Sequence, residues 1–123
     1  MADAESIRKV SEQMVRKAAS QGNAVIVGRG SAYYLRDQPD AFHVFVYAPF
    51  EEKVRRLQRG GKTEEEAIEL VQTVDRDRAD FIHQNFRIQF PARHFFHLMV
   101  NSTIGEKATV ETVLDALAAM QRT

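Results

Sequence analysis

The 123-residue sequence contains no cysteine and no tryptophan, and its Lys and Arg residues balance its Asp and Glu residues at 17 each. The absence of cysteine excludes a disulfide framework and a zinc site with thiolate ligands. The zero net charge argues against a diffuse polyanion binder, because counterion release needs a surplus of Lys and Arg on one face. We therefore expect no nucleic-acid partner, and any recognition of phosphate must be local.

Long hydrophobic runs are also absent, since no stretch approaches the roughly 20 apolar residues that span a bilayer. The first ten residues carry acids where a signal peptide has an apolar run. These features predict a cytoplasmic protein with no membrane partner. The length fits a single domain over residues 1–123, because globular domains cluster at roughly 100 to 150 residues.

Three segments have the character of strands. Residues 23–28 form a short, continuous β-branched run closed by Gly28, which is typical of a strand covered on both faces of a parallel sheet. Residues 42–48 and 96–101 are predicted as the second and third strands. Such short strands are too few to form a core without helices packed against them.

Helices are predicted between these strands. Apolar residues recur at helical spacing over residues 5–21, residues 31–36 form one or two turns, and Pro49 opens a helix that reaches about Arg59. Thr63 and Glu66 form a capping box for a long helix ending in the mid-eighties, and a last helix covers residues 110–120. The apolar stripe predicted for the long helix consists of Ala67, Leu70, Val71, Val74, Phe81 and Ile82. The fold class is therefore α/β, a small three-layer α/β/α arrangement around a short, mainly parallel three-stranded sheet.

The segment Gly60-Gly61-Lys62-Thr63 ends like the phosphate-binding P-loop, G-x-x-x-x-G-K-[ST]. The first glycine of that motif is replaced by Arg56, and the segment follows a helix where a P-loop follows a strand. We therefore interpret it as a helix stop followed by an N-cap.

Gly28-Arg29-Gly30 stands at the end of the first predicted strand, where open α/β sheets bind ligands. Glycine permits close backbone approach, and the planar guanidinium of Arg29 suits a phosphate. Tyr33 occupies the third glycine position of a dinucleotide fingerprint, so that motif is incomplete. The spacing alone leaves open phosphate binding and an ordinary strand-to-helix turn.

The long helix carries the run Asp75-Arg76-Asp77-Arg78-Ala79-Asp80. Arg76, Asp80, His83 and Arg87 recur at i, i+4, i+7 and i+11, so they share one helix face. This face could hold guanidinium groups against a polyphosphate. Without further evidence, the spacing favours the alternative, a solvated face with i,i+4 ion pairs.

Histidines and aromatic residues give no catalytic pattern. His94 and His97 lie three residues apart, but His97 falls at a strand start, so we expect no shared metal. Phe90, Phe95 and Phe96, with His97, are expected to form a packed seam and not a surface that stacks on nucleic-acid bases.

Four ordered segments together resemble the cytidylate-kinase-like family of nucleoside monophosphate kinases, specifically its C-terminal half. The segments are Val25-Ile26-Val27-Gly28-Arg29-Gly30, residues 44–57 with Ala48-Pro49-Phe50-Glu51-Glu52-Lys53-Val54-Arg55-Arg56, Asp75-Arg76-Asp77-Arg78, and Leu98-Met99-Val100-Asn101-Ser102. The similarity extends over about residues 5–117. It implies a truncated P-loop kinase-like fold.

The resemblance implies a role for particular residues. Arg29, with Gly28 and Gly30, faces the monophosphate acceptor, and Arg76 and Arg78 belong to a lid helix whose arginines close on the phosphates during transfer. Asp80 and His83 of that helix complete the implied substrate-binding set. The sequence has Gly30 where cytidylate kinases usually have Asp, and His83 where they have a lid Arg.

In complete relatives, a P-loop and an acceptor-binding segment precede the strand that matches residues 24–27. Only 22 residues precede Asn23 here, and they read as a helix. We therefore expect a nucleoside monophosphate as a ligand and no donor site, with ATP and magnesium implied by the resemblance alone. The chain by itself then binds no cofactor and catalyses no transfer.

Two alternatives stay open, namely one part of a split kinase that a P-loop-containing partner completes, and a non-catalytic regulatory or scaffold module. The resemblance also implies that the P-loop strand would lie between the strands at 24–27 and 42–47. Its absence predicts either a repacked three-stranded sheet or a homo-oligomer or heteromer that covers the gap.

Overall fold

The computed structural model describes residues 4–28 and 30–122. Within these residues the chain forms five helices, two strands and two 3-10 turns. In order they are α1 (Ala4–Gln21), α2 (Ser31–Tyr34), β1 (Val44–Tyr47), α3 (Phe50–Arg59), α4 (Glu64–Phe86), a 3-10 turn (Arg93–Phe95), β2 (Leu98–Asn101), a second 3-10 turn (Ser102–Ile104) and α5 (Glu106–Gln121).

β1 and β2 form a parallel two-stranded sheet with Val44 opposite Leu98 and Tyr47 opposite Asn101. The chain between the two strands runs through α3 and α4, as parallel strands require a long crossover. The predicted α/β class is therefore confirmed. The predicted strand count is wrong for the described residues, which contain two strands and not three.

The predicted first strand, residues 23–28, is an irregular segment. Ile26 packs against the buried side chains of Val15 and Leu35, whereas Val25 and Val27 are 94% and 86% exposed. This alternation is the burial pattern of a strand with one covered face. No described strand lies alongside to pair with its backbone, so the segment has strand-like composition without a sheet.

Three buried clusters stabilise the domain. The first joins α1 to α2 and contains Val15, Tyr34 and Leu35; the second contains Ala32, Tyr33 and Ile82; and the third joins α3 to α4 and contains Val54, Ala67 and Val71. The second cluster is extended by partly buried aromatic rings. The expected aromatic seam is thereby confirmed for Phe90, Phe95 and Phe96, which pack around it.

Helix ends follow local signals. The capping box of α4 is confirmed, because Thr63 Oγ1 accepts a hydrogen bond from the Glu66 backbone at 3.1 Å and Glu66 Oε1 accepts one from the Thr63 backbone at 2.9 Å. α5 begins at Glu106, earlier than predicted, because Gly105 has a φ of 108° and allows the helix to begin at the next residue. Thr109 then donates its hydroxyl to the Gly105 carbonyl at 2.7 Å.

The apolar stripe of α4 is only partly buried. Ala67, Val71 and Ile82 are buried as predicted, but Leu70 and Val74 are 38% and 43% exposed. The described part of the chain supplies no element that covers those two residues. Of the helices at residues 4–28 and 30–122, none is both long enough and apolar enough to cross a bilayer.

Candidate functional site

The carboxyl ends of β1 and β2 meet at one edge of the sheet, the edge at which open α/β sheets bind ligands. Ser102, directly after β2, donates its hydroxyl to the Tyr47 carbonyl at the end of β1, at 3.0 Å. The same hydroxyl accepts a hydrogen bond from Arg56 Nη2 at 3.0 Å. A guanidinium group of α3 is therefore held directly at the ligand-binding edge of the sheet.

Arg56 belongs to an arginine cluster on α3, which we define as Arg55, Arg56 and Arg59 around Glu52. The three guanidinium groups contact the Glu52 carboxylate at 2.9, 3.2 and 3.1 Å respectively. Hydrogen bonds from Arg55 and Arg59 hold the pKa of Glu52 at about 2, far below its usual 4.5. Three cations share one anion, so the cluster has two positive charges that no partner in the cluster neutralises.

The sequence analysis did not single out this cluster. Arg55, Arg56 and Arg59 follow Glu52 at i+3, i+4 and i+7, and this spacing is readable as one helix face. The contact between Arg56 and Ser102 is separated by 46 residues, and no local pattern indicates it. Only the fold brings the arginine cluster to the sheet edge.

The junction of α3 and α4 fixes the first residue of the Asp75–Asp80 run. Lys53 Nζ lies 2.9 and 2.7 Å from the two carboxylate oxygens of Asp75. Asp75 is therefore occupied by a structural ion pair and is not a free metal ligand. Among the residues described, no group of three or more His, Asp and Glu side chains is arranged to hold a metal ion.

Arg76 and Arg78 lie on different faces of α4. Arg78 is spaced i+7 from the buried Val71 and i−4 from the buried Ile82, so it falls on the inner face of the helix. Arg76 is two residues away and thus about 200° around the helix. Arg78 nevertheless remains exposed, because α3 covers only the first half of that inner face.

The stripe of Arg76, Asp80, His83 and Arg87 lies on the exposed face of α4, and Arg87 ends the helix with a φ of 56°. Within the described ranges, no side-chain hydrogen bond or ion pair involves Arg76, Asp80 or His83, and the expected i,i+4 pair between Arg76 and Asp80 is not formed. Arg76, Asp80 and His83 lie within α4 at the predicted spacing, whereas Arg87 follows the last helical residue, Phe86. The structure does not bring them together with Arg78.

Arg29 lies outside the described residues, but both flanking glycines are described. Gly28 and Gly30 have φ values of 72° and 71°, in the left-handed region that favours glycine. A Cβ on Gly30 would lie 3.2 Å from Phe81 and 3.3 Å from Phe86, both on α4. Because Phe81 is one turn after Arg78, this packing brings the Gly28–Gly30 turn to the stretch of α4 that carries Arg78.

The segment Gly60-Gly61-Lys62-Thr63 has the structural role expected for it. The Gly60 backbone donates to the Arg56 carbonyl at 3.2 Å and closes α3, and the Lys62 backbone donates to Leu57 at 3.0 Å. Thr63 then caps α4. The Thr63 hydroxyl and backbone N–H are both hydrogen-bonded to Glu66. This segment therefore does not have the arrangement of a phosphate-binding loop, and Thr63 is not placed as a magnesium ligand.

Two shallow surface hollows lie elsewhere. One of about 280 Å³ is lined by Glu5, Arg8, Gln84 and Asn85, and one of about 250 Å³ is lined by Lys62, Glu66, Glu69, Leu70 and Thr73. Neither hollow includes a predicted site residue. The candidate site is therefore the open, charged surface formed by the carboxyl edge of the sheet and the α3 arginine cluster. Gly30 packs instead on Phe81 and Phe86, in the second half of α4 that also carries Arg78.

A family model described as the cytidylate kinase-like family matches residues 1–104. No curated protein and no solved structure matches the chain.

Proposed function

Because the chain belongs to the cytidylate kinase-like family, we propose that its domain binds the phosphate groups of a nucleoside monophosphate but does not transfer phosphate by itself. The observation that carries the proposal is the α3 arginine cluster at the carboxyl edge of the sheet. Arg29, with Gly28 and Gly30, forms the acceptor side.

The charge and geometry of the cluster support an anionic ligand. A guanidinium group forms bidentate hydrogen bonds with phosphate oxygens, and charge-assisted bonds of this kind are roughly twice as strong as neutral ones. Arg55 and Arg59 are more than half exposed, so they can reach a ligand without unfolding the helix. Arg56 is oriented in advance by Ser102, which lowers the entropy lost on binding.

Arg78 is proposed as the arginine of α4 that contacts a phosphate of the ligand on the side of Gly30. It is exposed on an otherwise apolar helix face, one turn from the residue that packs on Gly30. No described side chain competes for its guanidinium group. Arg76, Asp80 and His83 are proposed to act on the outer face of this lid helix, where they meet a ligand or partner that covers α4.

Phosphoryl transfer needs a donor site that positions ATP and neutralises the developing charge. Thr63 caps α4 and Asp75 pairs with Lys53, so neither is free to hold ATP or magnesium. We therefore propose that the donor strand and loop come from outside these 123 residues. ATP and magnesium would be held there and not by the domain itself.

Calorimetric titration with CMP, dCMP, UMP, AMP and ATP at two salt concentrations tests the binding proposal. We expect a monophosphate to bind more tightly than ATP, with an affinity that weakens as salt rises. Arg56→Met and Arg78→Met should each weaken binding about tenfold or more, whereas Arg16→Met, whose guanidinium pairs with Glu12 on α1, should not. Unchanged binding in both site variants would disprove the site, and turnover of CMP with ATP by the purified chain would disprove the missing donor site.

A second candidate is that the domain is one part of an assembled kinase. Residues 24–27 favour it, because two β-branched side chains of a strand-like segment are almost fully exposed at Val25 and Val27. Unpaired strand backbone accepts a strand from another chain. The partner would supply an apolar strand followed by G-x-x-x-x-G-K-[ST], either as a different polypeptide or as a further segment.

Co-expression with a P-loop fragment of a complete cytidylate kinase tests this assembly. We expect a stable complex with CMP kinase activity that neither part has alone. Val25→Lys should abolish the complex while leaving the isolated domain as stable as before, because that side chain is 94% exposed. The exposed Val110 on α5 provides the matched control, since Val110→Lys should leave the complex intact. A complex that tolerates Val25→Lys would exclude this surface.

A further inference from the structure

His43 and His97 join the two strands at the end opposite the candidate site. The His43 backbone N–H donates to His97 Nδ1 at 2.9 Å, and the His43 carbonyl accepts from the backbone N–H groups of His97 at 2.8 Å and Leu98 at 3.3 Å. These residues immediately precede β1 and β2. The His97 side chain therefore replaces one backbone partner and extends the pairing of the strands.

The His43 ring connects this end of the sheet to α2. It is only 9% exposed, and its Nε2 lies 3.2 Å from the carbonyl of Leu35, the residue that ends α2. The two imidazoles are stacked, with centroids 5.4 Å apart and planes 8° apart. Phe42 also stacks on His97, at 5.7 Å. The His43 ring therefore lies between the sheet and α2, whereas the His97 ring stacks on it from the exposed side.

These hydrogen bonds define where the protons are. His97 Nδ1 accepts an N–H, so it carries a lone pair and the ring hydrogen is on Nε2. The Leu35 carbonyl can only accept, so His43 carries its hydrogen on Nε2 as well. Both rings are therefore neutral in this arrangement. Protonation of His97 would place an Nδ1–H against the His43 N–H and remove that hydrogen bond.

No nearby anion compensates a charge on either ring. Arg36, after α2, donates its guanidinium to the Tyr33 carbonyl, and Asp40, before β1, accepts from Gln38. The turn before β2 carries Arg93 and His94, both exposed. No ion pair of the described residues involves a histidine. Burial lowers the pKa of His43, the hydrogen bond with the Leu35 carbonyl partly offsets this, and the neighbouring His97 lowers it further.

We propose that His43 and His97 form a proton-sensitive latch that is closed when both imidazoles are neutral and opens when they become protonated. Opening breaks the bond from the His43 backbone to His97 Nδ1, and the charged rings repel each other at 5.4 Å. The latch holds the start of the sheet to Leu35, the C-cap residue of α2, whose N-cap residue is Gly30. Acidification would therefore loosen the sheet from the helix that Gly30 begins.

Two variants separate the latch from ordinary histidine titration. His97→Asn retains an acceptor in place of Nδ1, and His43→Gln retains a donor in place of Nε2, while neither side chain titrates. His94→Gln removes an exposed imidazole outside the pair and is the control.

Urea unfolding and hydrogen exchange are measured between pH 7 and pH 5. We expect the unfolding constant of the wild-type protein and of His94→Gln to rise as the pH falls from 7 to 5, because the lowered pKa of His43 makes the unfolded state bind more protons in that range. The double variant, which combines His43→Gln with His97→Asn, should show a clearly smaller rise in the unfolding constant. The amides of His43, His97 and Leu98 should lose protection at pH 5 in the wild-type protein.

Equal pH dependence in the wild-type protein and the double variant would disprove the latch. So would protected amides at pH 5 when nitrogen chemical shifts show both rings protonated. If the double variant does not fold, the wild-type protein still decides the question. Its nitrogen shifts at pH 7 must report the Nε2–H tautomer for both rings, and any other tautomer would contradict the proposal.

Discussion

Lys53 Nζ contacts both carboxylate oxygens of Asp75, at 2.7 and 2.9 Å, and links α3 to α4. Lys53 lies near the start of α3 and Asp75 in the second half of α4, whereas Leu57, near the end of α3, accepts a hydrogen bond from the Lys62 backbone just before α4 begins. The helices are therefore antiparallel. The ion pair fixes the part of α4 that carries Arg78, three residues after Asp75.

Lys53→Met should lower the free energy of unfolding by at most about 1 kcal/mol, because both side chains are partly exposed and such pairs contribute little. Methionine keeps the apolar stem of lysine, so the change reports the charge. Urea denaturation at low and high salt measures it, and the difference should shrink at high salt. Lys9→Met, which removes a looser 3.7 Å pair on α1, should change stability less, and an equal loss in both variants would contradict this assignment.

Gly30→Ala and Gly28→Ala separate backbone strain from packing. Both positions have φ near 70°, which costs a residue with a Cβ about 1 to 2 kcal/mol. A Cβ on Gly28 meets no atom within 4 Å, whereas one on Gly30 meets three aromatic carbons at 3.2 to 3.4 Å. Overpacking adds about 1 to 3 kcal/mol at Gly30 alone. Thermal unfolding measures both, and equal losses would show that the aromatic rings move aside freely.

The elements that the sequence predicted well are those with complete local signals. α1 has its apolar spacing and Gly22, and α4 has the Thr63–Glu66 capping box, so both begin and end within a residue or two of the prediction. Residues 24–27 have the composition of a buried strand, but a strand also requires a neighbour. Composition does not reveal whether that neighbour is present.

In the candidate site, too, local spacing predicts some features, whereas contacts between distant parts of the chain decide others. Helical spacing correctly grouped Arg76 with Asp80 and His83, but spacing cannot tell which face of a helix is covered by other elements. That depends on Val54 and the aromatic cluster, which pack against Val71 and Ile82 from distant positions in the chain. The link from Arg56 to Ser102 has no sequence signal for the same reason.

Thr63→Ala should destabilise the domain by about 1 kcal/mol, because it removes the side-chain oxygen that caps the first turn of α4. Thr63→Ser keeps that oxygen and should retain most of the stability. Chemical denaturation of the three proteins gives the comparison. If serine and alanine destabilise equally, the capping bond contributes nothing and the threonine methyl group matters instead.

Ala67→Leu should destabilise by about 1 to 3 kcal/mol, since Ala67 has no exposed surface and belongs to the buried cluster with Val54 and Val71. The added carbons would push α3 and α4 apart. Ala119→Leu on the exposed part of α5 is the matched control and should be close to neutral. Urea denaturation tests this, and equal effects at the two positions would show that the α3–α4 interface is not closely packed.

Glu52 should titrate at about pH 2, because the Arg55 and Arg59 guanidinium groups stabilise its charged form. This pKa is lower than the 4.5 of the unfolded chain. Between about pH 2 and pH 4.5, the unfolded state therefore binds more protons than the folded state. The contribution of Glu52 to stability is therefore complete above pH 4.5 and is lost as the pH falls toward 2. Carboxyl carbon shifts measured by NMR follow the titration directly.

Arg55→Met should move the midpoint of the Glu52 titration toward 4.5, whereas Arg36→Met, which removes a guanidinium bound to Tyr33, should leave it unchanged. A wild-type midpoint near 4.5 would mean that the three arginines do not converge on Glu52 in solution, and the phosphate site proposed there would lose its basis.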